Sequence, residues 1–409
     1  MEIYTKCNSR VRFLGVTLLM ILIAALVSCS LPAGGGSGID SDDIDKDGSV
    51  PVPDEDPVIA AINGMTIEEK VGQLFIIRPD ALDPALSNET INDPDAEGVL
   101  AVSGKMAETY LNYPAGGFCI FGKNIDTPAQ VRALNRDLHA LNSEFVPLIC
   151  IDEEGGWVAR LANSSSFDLP KFDNMQYIAQ TGDPGNAYHV GYEIGRYLSE
   201  YGIDVDFAPV ADVNTNPDNP IIGVRAFGDD PQVAAEMVAA VIEGLHSQGI
   251  MSSVKHFPGH GDTKTDTHTG TAETLKTWEE ITACEMIPFM AGIEAGTDFV
   301  MVAHIALPNV TGTDEPASMS YLIMTEKLRG ELGYEGLIIT DAIAMDAINE
   351  TYGSSAGSVQ AILAGADVVL MPYDYDEAFN AVVDAVRDGT ITAERLDESV
   401  YRILSYKLK

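Results

Sequence analysis

Short apolar runs alternate with longer amphipathic stretches along most of this chain. Runs that are apolar throughout are typical of strands buried on both faces, and apolar residues at helical spacing indicate helices between them. The runs that we predict to be strands are Gly72–Ile77, Gly117–Phe121, Pro147–Ile151, Val205–Val210, Ser252–Val254, Phe299–Ala303, Leu337–Ile339 and Ala366–Met371. The stretches that we predict to be helices include Pro128–Leu141, Asn186–Tyr201, Pro231–Gln248, Ser358–Ala364, Asp376–Arg387 and Thr392–Leu408. Eight strands alternating with helices over about 350 residues predict the α/β class and a (β/α)8 TIM-like barrel in one domain, residues 58–409.

Polar side chains come directly after most of the predicted strands. These residues are Arg78, Asp152, Asp212, Lys255 with His256, His304 and Asp341. A capping role would explain any one of them, but it does not explain a repeat at equivalent positions of successive strands. Because the carboxyl ends of barrel strands surround one mouth, we expect these side chains to form one site there.

The segment Ser253–His268, SVKHFPGHGDTKTDTH, holds three of the chain's seven histidines. Proline and glycine exclude a helix, so we predict a loop that leaves a buried strand, with Gly259, Gly261 and Gly270 permitting it to move. Two chemistries are open for this loop, a metal site and acid–base catalysis. The candidate metal ligands are His256, His260 and Asp262, whereas the candidate acid–base pair is His268 with Asp266.

The metal interpretation is disfavoured because Pro258 and Thr263 stand where further histidine ligands of an HxHxDH arrangement would be needed. An aspartate two residues before a histidine can accept a hydrogen bond from one imidazole nitrogen. This fixes the tautomer and raises the basicity of the ring. The spacing of Asp266 and His268 therefore favours acid–base catalysis.

Four segments, in order, resemble family 3 glycoside hydrolases, in the subgroup of single-domain β-N-acetylhexosaminidases. KHFPGHGDTKTDTH resembles the signature KHFPGHGxxxxDSH, with Thr267 in place of serine. IDEEGGWVARL, Ile151–Leu161, resembles VDQEGGRVQRL. Phe207–Pro231 resembles the strand and loop with a sugar-binding arginine, and GLIITDAIAM, Gly336–Met345, resembles the nucleophile segment. The similarity runs from about Ile62 to the end of the chain.

The resemblance implies a role for each matching residue. Asp341 would be the nucleophile, although an aspartate in that place can also be a helix cap. His268 would be the acid/base, with Asp266 as its partner. The implied substrate-binding residues are Asp152, Arg160, Arg225, Lys255, His256 and His304. Trp157 replaces a common arginine, and it would either stack on a second sugar or pack against its loop. No metal and no cofactor are implied.

By this resemblance the barrel would be a single catalytic domain of a retaining exo-β-N-acetylglucosaminidase. It would release terminal β-linked GlcNAc from cell-wall or chitin-type oligosaccharides through a covalent glycosyl-enzyme. Phosphate is a possible acceptor besides water, because a histidine acid is neutral after it gives up its proton. The alternatives are a β-glucosidase or β-xylosidase of the same family, a sugar-binding lipoprotein without catalysis, and a zinc hydrolase.

The first residues resemble an export signal. Three basic residues precede the apolar run Phe13–Val27, and Leu26-Val27-Ser28-Cys29 resembles a bacterial lipobox. An uncleaved membrane helix is the alternative, but a span needs about 20 apolar residues. We therefore expect a signal peptide over residues 1–28, lipid on Cys29, and a flexible acidic Gly/Pro tether over residues 29–57.

The formal net charge of −38 disfavours nucleic-acid binding, because the phosphate backbone would be repelled. Beyond the predicted lipidation site, Cys119, Cys150 and Cys284 are odd in number and scattered, which gives no disulfide framework. We expect an exported, membrane-anchored lipoprotein of a bacterium. Its partners would be an oligosaccharide substrate and the lipid anchor in the membrane, and the protein would be a monomer.

Overall fold

The computed structural model describes residues 56–264 and 272–408, and its centre is a barrel of parallel strands. The barrel strands are β1 Phe75–Ile77, β2 Gly117–Ile120, β3 Leu148–Ile151, β4 Val205–Asp206, β5 Met251–Phe257, β6 Phe299–Val302, β7 Leu337–Thr340 and β8 Val369–Leu370. Each strand pairs with its neighbour in chain order, and β1 pairs with β8 through Phe75 and Val369. A parallel bridge between Ile339 and Val368 joins β7 to β8. The predicted (β/α)8 TIM-like fold is confirmed.

The barrel strands are buried on both faces, as their uninterrupted apolar runs predict. Every residue of β2, β3, β6 and β7 is buried. Cys119 and Cys150 lie opposite each other on β2 and β3, fully buried and not joined by a disulfide. Both cysteines therefore serve as small hydrophobic residues of the core.

Helices surround the barrel and connect its strands. The α-helices span Pro57–Gly64, Ile67–Gln73, Asn88–Asn92, Gly104–Asn112, Pro128–His139, Met175–Ala179, Pro184–Glu200, Pro231–His246, Trp278–Ala283, Met286–Glu294, Pro308–Thr311, Asp346–Asn349, Gly353–Ala364, Tyr375–Arg387 and Ala393–Lys407. Short 3-10 turns span Pro79–Leu82, Gly122–Asn124, Gly223–Arg225 and Ala317–Met319, and a π-helix spans Leu322–Glu331. The helices Pro128–His139, Pro184–Glu200 and Pro231–His246 begin with proline after a threonine or aspartate cap, close to their predicted starts. The helix predicted from Ser358 begins earlier, at Gly353, without a side-chain cap.

Four strand predictions need correction. The runs Val205–Val210 and Ala366–Met371 contain shorter strands than predicted, Val205–Asp206 and Val369–Leu370. The first run was predicted as a strand from Gly72, but Thr66 and Glu69 form a capping box that starts a helix ending at Gln73. The fifth run was predicted to end at Val254, but β5 continues to Phe257 with a shift of register after Val254. Lys255 and His256 therefore lie near the carboxyl end of strand β5 and not in the loop that follows it.

Two small additions lie at the carboxyl end of the barrel. Residues Glu153–Gly155 and Val158–Ala159 form an antiparallel hairpin directly after β3. Ala272–Glu273 pairs with Ile305–Ala306, which follows β6. Across the two described ranges, none of the helices has the length and apolar character that a membrane span requires. Cys29 and the predicted signal and tether lie outside those ranges.

Candidate active site

A cavity of about 400 Å³ opens at the carboxyl end of the barrel strands. Six of the residues singled out from the sequence line it: Asp152, Arg160, Arg225, Lys255, His256 and Asp341. They come from β3, β5, β7 and the loops that follow these strands and β4, as the geometry of a barrel mouth requires. Arg78 also lines the cavity, with its guanidinium 4.3 Å from the centre of the Phe121 ring.

Asp341 is the first residue after β7. Its backbone N–H donates to Val302 O at 2.9 Å, and its Oδ1 accepts a hydrogen bond from the Ala342 N–H at 2.7 Å. The next helix begins at Asp346 and is preceded by Met345, so Asp341 does not cap it. The carboxylate is instead held by the strand end at the wall of the cavity.

Five charged side chains form one ion cluster in the wall of the same cavity: Asp152, Glu154, Arg160, Arg225 and Lys255. Lys255 Nζ lies 2.8 Å from Asp152 Oδ1 and 2.6 Å from Glu154 Oε1. Arg225 donates to both Glu154 oxygens, at 2.7 and 2.9 Å. Arg160 Nη2 is 3.4 Å from Asp152 Oδ2. The cluster therefore presents acceptors and cationic donors side by side.

The cluster stays charged although it is buried. Burial alone would raise the carboxyl pKa values, but Lys255 and Arg160 hold the pKa of Asp152 far below its usual range. Arg225 and Lys255 likewise lower the pKa of Glu154 to about 2. Burial disfavours the Lys255 ammonium, yet Asp152 and Glu154 raise its pKa above the ordinary value. Alternating fixed charges of this kind suit vicinal hydroxyl groups, which both donate and accept hydrogen bonds.

Asp212, the residue two positions after Val210, fixes two histidines of the wall. Its Oδ2 is 2.7 Å from His256 Nδ1, and its Oδ1 accepts the backbone N–H of His260 at 2.6 Å. A carboxylate can only accept, so His256 carries its proton on Nδ1 and offers Nε2 to a ligand. A Cβ on Gly261 would lie 1.9 Å from Val213 O, so this glycine permits the close approach of the two backbones.

His304 has both ring nitrogens bonded to protein groups. Its ring is fully buried and does not line the cavity. Nδ1 lies 2.7 Å from Ser318 Oγ, and Nε2 lies 2.9 Å from the carbonyl oxygen of Ala342. That His304 binds substrate stays a prediction. The ring contacts the backbone next to Asp341 through the Ala342 carbonyl oxygen.

Trp157 occupies the turn of the hairpin that follows β3, between the lining residues Glu154 and Val158. Its backbone N–H donates to Asn174 Oδ1 at 2.9 Å, and the hairpin is fixed at its base through the buried Glu153 side chain. The Trp157 residue is 70% exposed. The indole therefore does not pack against its own loop, which leaves it available at the rim.

Asp266 and His268 lie outside the described residues. The chain on either side is fixed at the mouth of the barrel: Asn216 Nδ2 donates to Thr263 O at 2.9 Å, and Ala272–Glu273 pairs with the segment after β6. Among residues 56–264 and 272–408, no group of histidine, cysteine, aspartate and glutamate side chains is arranged to hold a metal ion.

Glu154 was missed from the sequence. It stands in a pair of adjacent glutamates after β3, and its neighbour Glu153 points away from the cavity to bond Tyr197 and two backbone N–H groups. The alternation of side chains along the hairpin was the available signal, since it sends adjacent residues to opposite faces.

Comparison with known proteins relates most of the chain to one family. Residues 66–406 match the family model described as glycosyl hydrolase family 3 N terminal domain. The chain is 33% identical over 331 residues to beta-hexosaminidase A of Pseudoalteromonas piscicida, a match that covers 75% of this chain and 55% of that protein.

Two solved structures are similar throughout the barrel. A glycoside hydrolase family 3 beta-N-acetylglucosaminidase from Paenibacillus sp. str. FPU-7 is 35% identical, with a TM-score of 0.75 over 84% of this chain and 62% of its own. The beta-glucoside phosphorylase BglX is 26% identical, with a TM-score of 0.73 over 86% of this chain and 59% of its own. The chain thus spans between about half and two thirds of the length of these relatives.

Proposed function

The chain belongs to glycosyl hydrolase family 3, and on that premise we propose that it is a retaining exo-β-N-acetylglucosaminidase. The observation that carries the proposal is the Asp341 carboxylate at the wall of a cavity that also contains the ion cluster. A volume of about 400 Å³ lies within the roughly 300–1,000 Å³ of small-ligand sites. The names of the hexosaminidase and the Paenibacillus enzyme support GlcNAc as the sugar.

In the proposed reaction, Asp341 attacks the anomeric carbon and forms a covalent glycosyl-enzyme through an oxocarbenium-like transition state. His268, oriented by Asp266, gives its proton to the departing glycosidic oxygen. The neutral ring then takes a proton from an incoming water, whose oxygen displaces Asp341 and restores the carboxylate. The ion cluster binds the sugar hydroxyls throughout.

A panel of nitrophenyl β-glycosides tests the sugar specificity. We expect the highest kcat/KM with GlcNAc among GlcNAc, GalNAc, glucose and xylose. A preference for glucose or xylose would favour the β-glucosidase or β-xylosidase alternative. Binding without turnover of any glycoside would favour a sugar-binding lipoprotein, and loss of activity with a chelator would favour a zinc hydrolase.

Replacement of the dyad tests the acid. A sugar alkoxide needs a proton in order to leave, whereas nitrophenolate hardly does. His268→Ala should therefore reduce cleavage of natural disaccharides far more than glycosyl-enzyme formation from a nitrophenyl glycoside, and Asp266→Asn should give a milder form of the same pattern. Equal losses on both substrates would reject His268 as the acid.

Phosphate is the proposed second acceptor. A neutral histidine does not repel an incoming phosphate as an anionic carboxylate would, and a solved relative is described as a phosphorylase. Incubation with substrate and phosphate should give GlcNAc-1-phosphate. Free GlcNAc as the sole product at high phosphate would reject this part of the proposal and leave the hydrolase intact.

The proposed location is a bacterial membrane surface, where cell-wall fragments or chitin-type oligosaccharides would be the substrates. Its support is the lipobox-like sequence that ends at Cys29 and the Gly-rich acidic tether after it. Lipid should be found on Cys29 in the membrane fraction, and Cys29→Ser should prevent its attachment. An unmodified Cys29 in a membrane-bound protein would overturn the lipoprotein proposal.

A further inference from the structure

His260 lines the cavity and carries a buried ring nitrogen without a partner among the described residues. The residue is 2% exposed and lines the cavity beside His256, with the two ring centres 5.9 Å apart. Within the described ranges, its Nε2 has no hydrogen-bond partner. A buried polar nitrogen left unpaired is unfavourable, so its position calls for a partner that arrives with a ligand.

The other ring nitrogen shows which tautomer His260 adopts. Thr263 Oγ1 lies 2.6 Å from His260 Nδ1 and 3.0 Å from the His260 carbonyl oxygen. A carbonyl oxygen only accepts, so the single hydroxyl proton of Thr263 goes to it, and the hydroxyl oxygen accepts from Nδ1–H. In the neutral ring, Nε2 is then left with a lone pair and acts as an acceptor.

The surroundings keep this ring neutral. Burial and the neighbouring His256 lower the pKa of His260, and the Asp212 and Asp341 carboxylates oppose them without reversing the shift. His260 is thus a fixed neutral acceptor in a wall that also carries the charged side chains of the ion cluster. Acceptors of this kind distinguish a ligand that offers an O–H or N–H from one that does not.

We propose that His260 Nε2 accepts a hydrogen bond from a donor group of the sugar bound against Asp341. His260 is then a substrate-binding residue that recognises one hydroxyl or amide N–H. The inference rests on the proposed function. In a GlcNAc residue attacked at the anomeric carbon, the donors nearest to the nucleophile are the acetamido N–H on C2 and the hydroxyl on C3. The ligand class is therefore a hexosamine glycoside with both donors free.

Substrate analogues test the proposal. The kcat/KM of wild type and His260→Phe would be measured on nitrophenyl β-GlcNAc, on its 3-, 4- and 6-deoxy forms, and on the 2-deoxy glycoside. For wild type, one analogue should show a penalty that falls about threefold to tenfold in His260→Phe, because that variant has no acceptor to leave unpaired. The remaining analogues should show equal penalties in both enzymes.

Two further variants guard against misfolding and against a purely structural role. His260→Gln can present an amide oxygen and should retain part of the coupling to the same analogue. Thr263→Val leaves the ring in place but removes the acceptor of Nδ1–H, so the proton can move to Nε2 and the same coupling should weaken. Penalties that are identical in all four enzymes would overturn the proposal. A wild type inactive on every GlcNAc substrate would instead refute the proposed function.

Discussion

Two clusters of paired carboxylates and basic side chains lie at opposite ends of the barrel. They use the same residue types, but one stabilises the fold and the other lines the cavity. At the amino end, Asp367 precedes β8 and is fully buried. Its Oδ2 receives Arg329 Nη2 at 2.6 Å and the Ile338 N–H at 3.0 Å, and its Oδ1 receives Ser399 Oγ at 2.7 Å and Arg402 Nη1 at 2.9 Å. Both carboxylate oxygens are thus satisfied by protein groups.

The cavity at the mouth, in contrast, is lined by polar atoms that lack a protein partner. Arg78 Nε, Arg160 Nε and His260 Nε2 belong to residues that line the cavity, and none of the three atoms bonds another described residue. The Asp152 and Arg160 side chains remain 19% and 34% exposed. Polar groups whose hydrogen bonds are all made within the protein therefore indicate a role in stability, whereas unpaired polar atoms at a cavity indicate a ligand site. This distinction is more useful than the presence of buried charge itself.

The largest expected effect separates activity from stability at the mouth. Asp341→Ala should lower turnover by at least about three orders of magnitude, because covalent catalysis is lost. The free energy of unfolding should change little, since the side chain faces the cavity. Steady-state kinetics and urea unfolding measure both quantities, and a fluorinated glycosyl reagent should label Asp341 in the wild type. Labelling of another carboxylate would contradict the assignment.

The opposite pattern is expected at the amino end. Asp367→Ala removes the carboxylate that pairs with Arg329 and Arg402, and it should lower the free energy of unfolding by about 3–5 kcal/mol. The kcat/KM of the folded protein should stay near the wild-type value. Asp384→Ala, an exposed aspartate on the neighbouring helix, is the matched control and should change stability by less than about 0.5 kcal/mol. A large loss of kcat/KM in folded Asp367→Ala would break the comparison.

Glu154→Gln should lower both catalytic efficiency and stability, each by less than the two substitutions above. It removes the charge opposite Arg225 and Lys255 and should lower kcat/KM roughly 10- to 100-fold. Because the pKa of Glu154 is lowered to about 2 from 4.5, its stabilising effect is complete above pH 4.5 and is lost as the pH falls toward 2. Unfolding between those pH values should therefore depend less on pH in Glu154→Gln. A shift in the acid limb of the activity profile would show that Glu154 titrates during function.

The smallest effect is expected at the rim. If Trp157 stacks on the sugar of the leaving group, Trp157→Ala should reduce kcat/KM on a disaccharide about twofold to tenfold. A glycosyl fluoride, whose leaving group has no ring, should be unaffected. Tyr188 is an exposed aromatic residue of the outer helix Pro184–Glu200, and Tyr188→Ala should leave kcat/KM unchanged on both substrates. Equal losses on disaccharide and fluoride would show that Trp157 acts on the site and not on the second sugar.

The sequence predicts the barrel well because burial on both faces leaves a plain signal. The run Leu337–Ile339 and the strand Leu337–Thr340 nearly coincide. The signal weakens where a helix leads directly into a strand, as at Gln73, and where β5 continues through polar residues such as Lys255. The π-helix Leu322–Glu331 was not predicted, since no apolar periodicity marks it.

The site was predicted less completely, for a physical reason. Motif positions bring Asp152, Lys255 and Asp341 to the mouth correctly, because strand ends converge in any barrel. Whether a side chain faces the cavity or the wall behind it depends on packing that local sequence does not contain. His304 and Glu154 are the two cases: His304 is fully buried with both ring nitrogens bonded to protein groups, whereas Glu154, overlooked in the sequence, lines the cavity.

The pairing of β1 with β8 also determines when the molecule can become a barrel at all. β1 is made early in synthesis, but its second edge has no partner until Val369 and Leu370 arrive. The helix Ile67–Gln73 before β1 gains its partners later still, because Lys70 pairs with Asp397 and Gln73 accepts from Lys407. Until then, the growing chain carries an unpaired edge of parallel strands, the kind of surface that invites wrong pairing. We therefore expect slow folding, with closure of the barrel dependent on completion of the last strand.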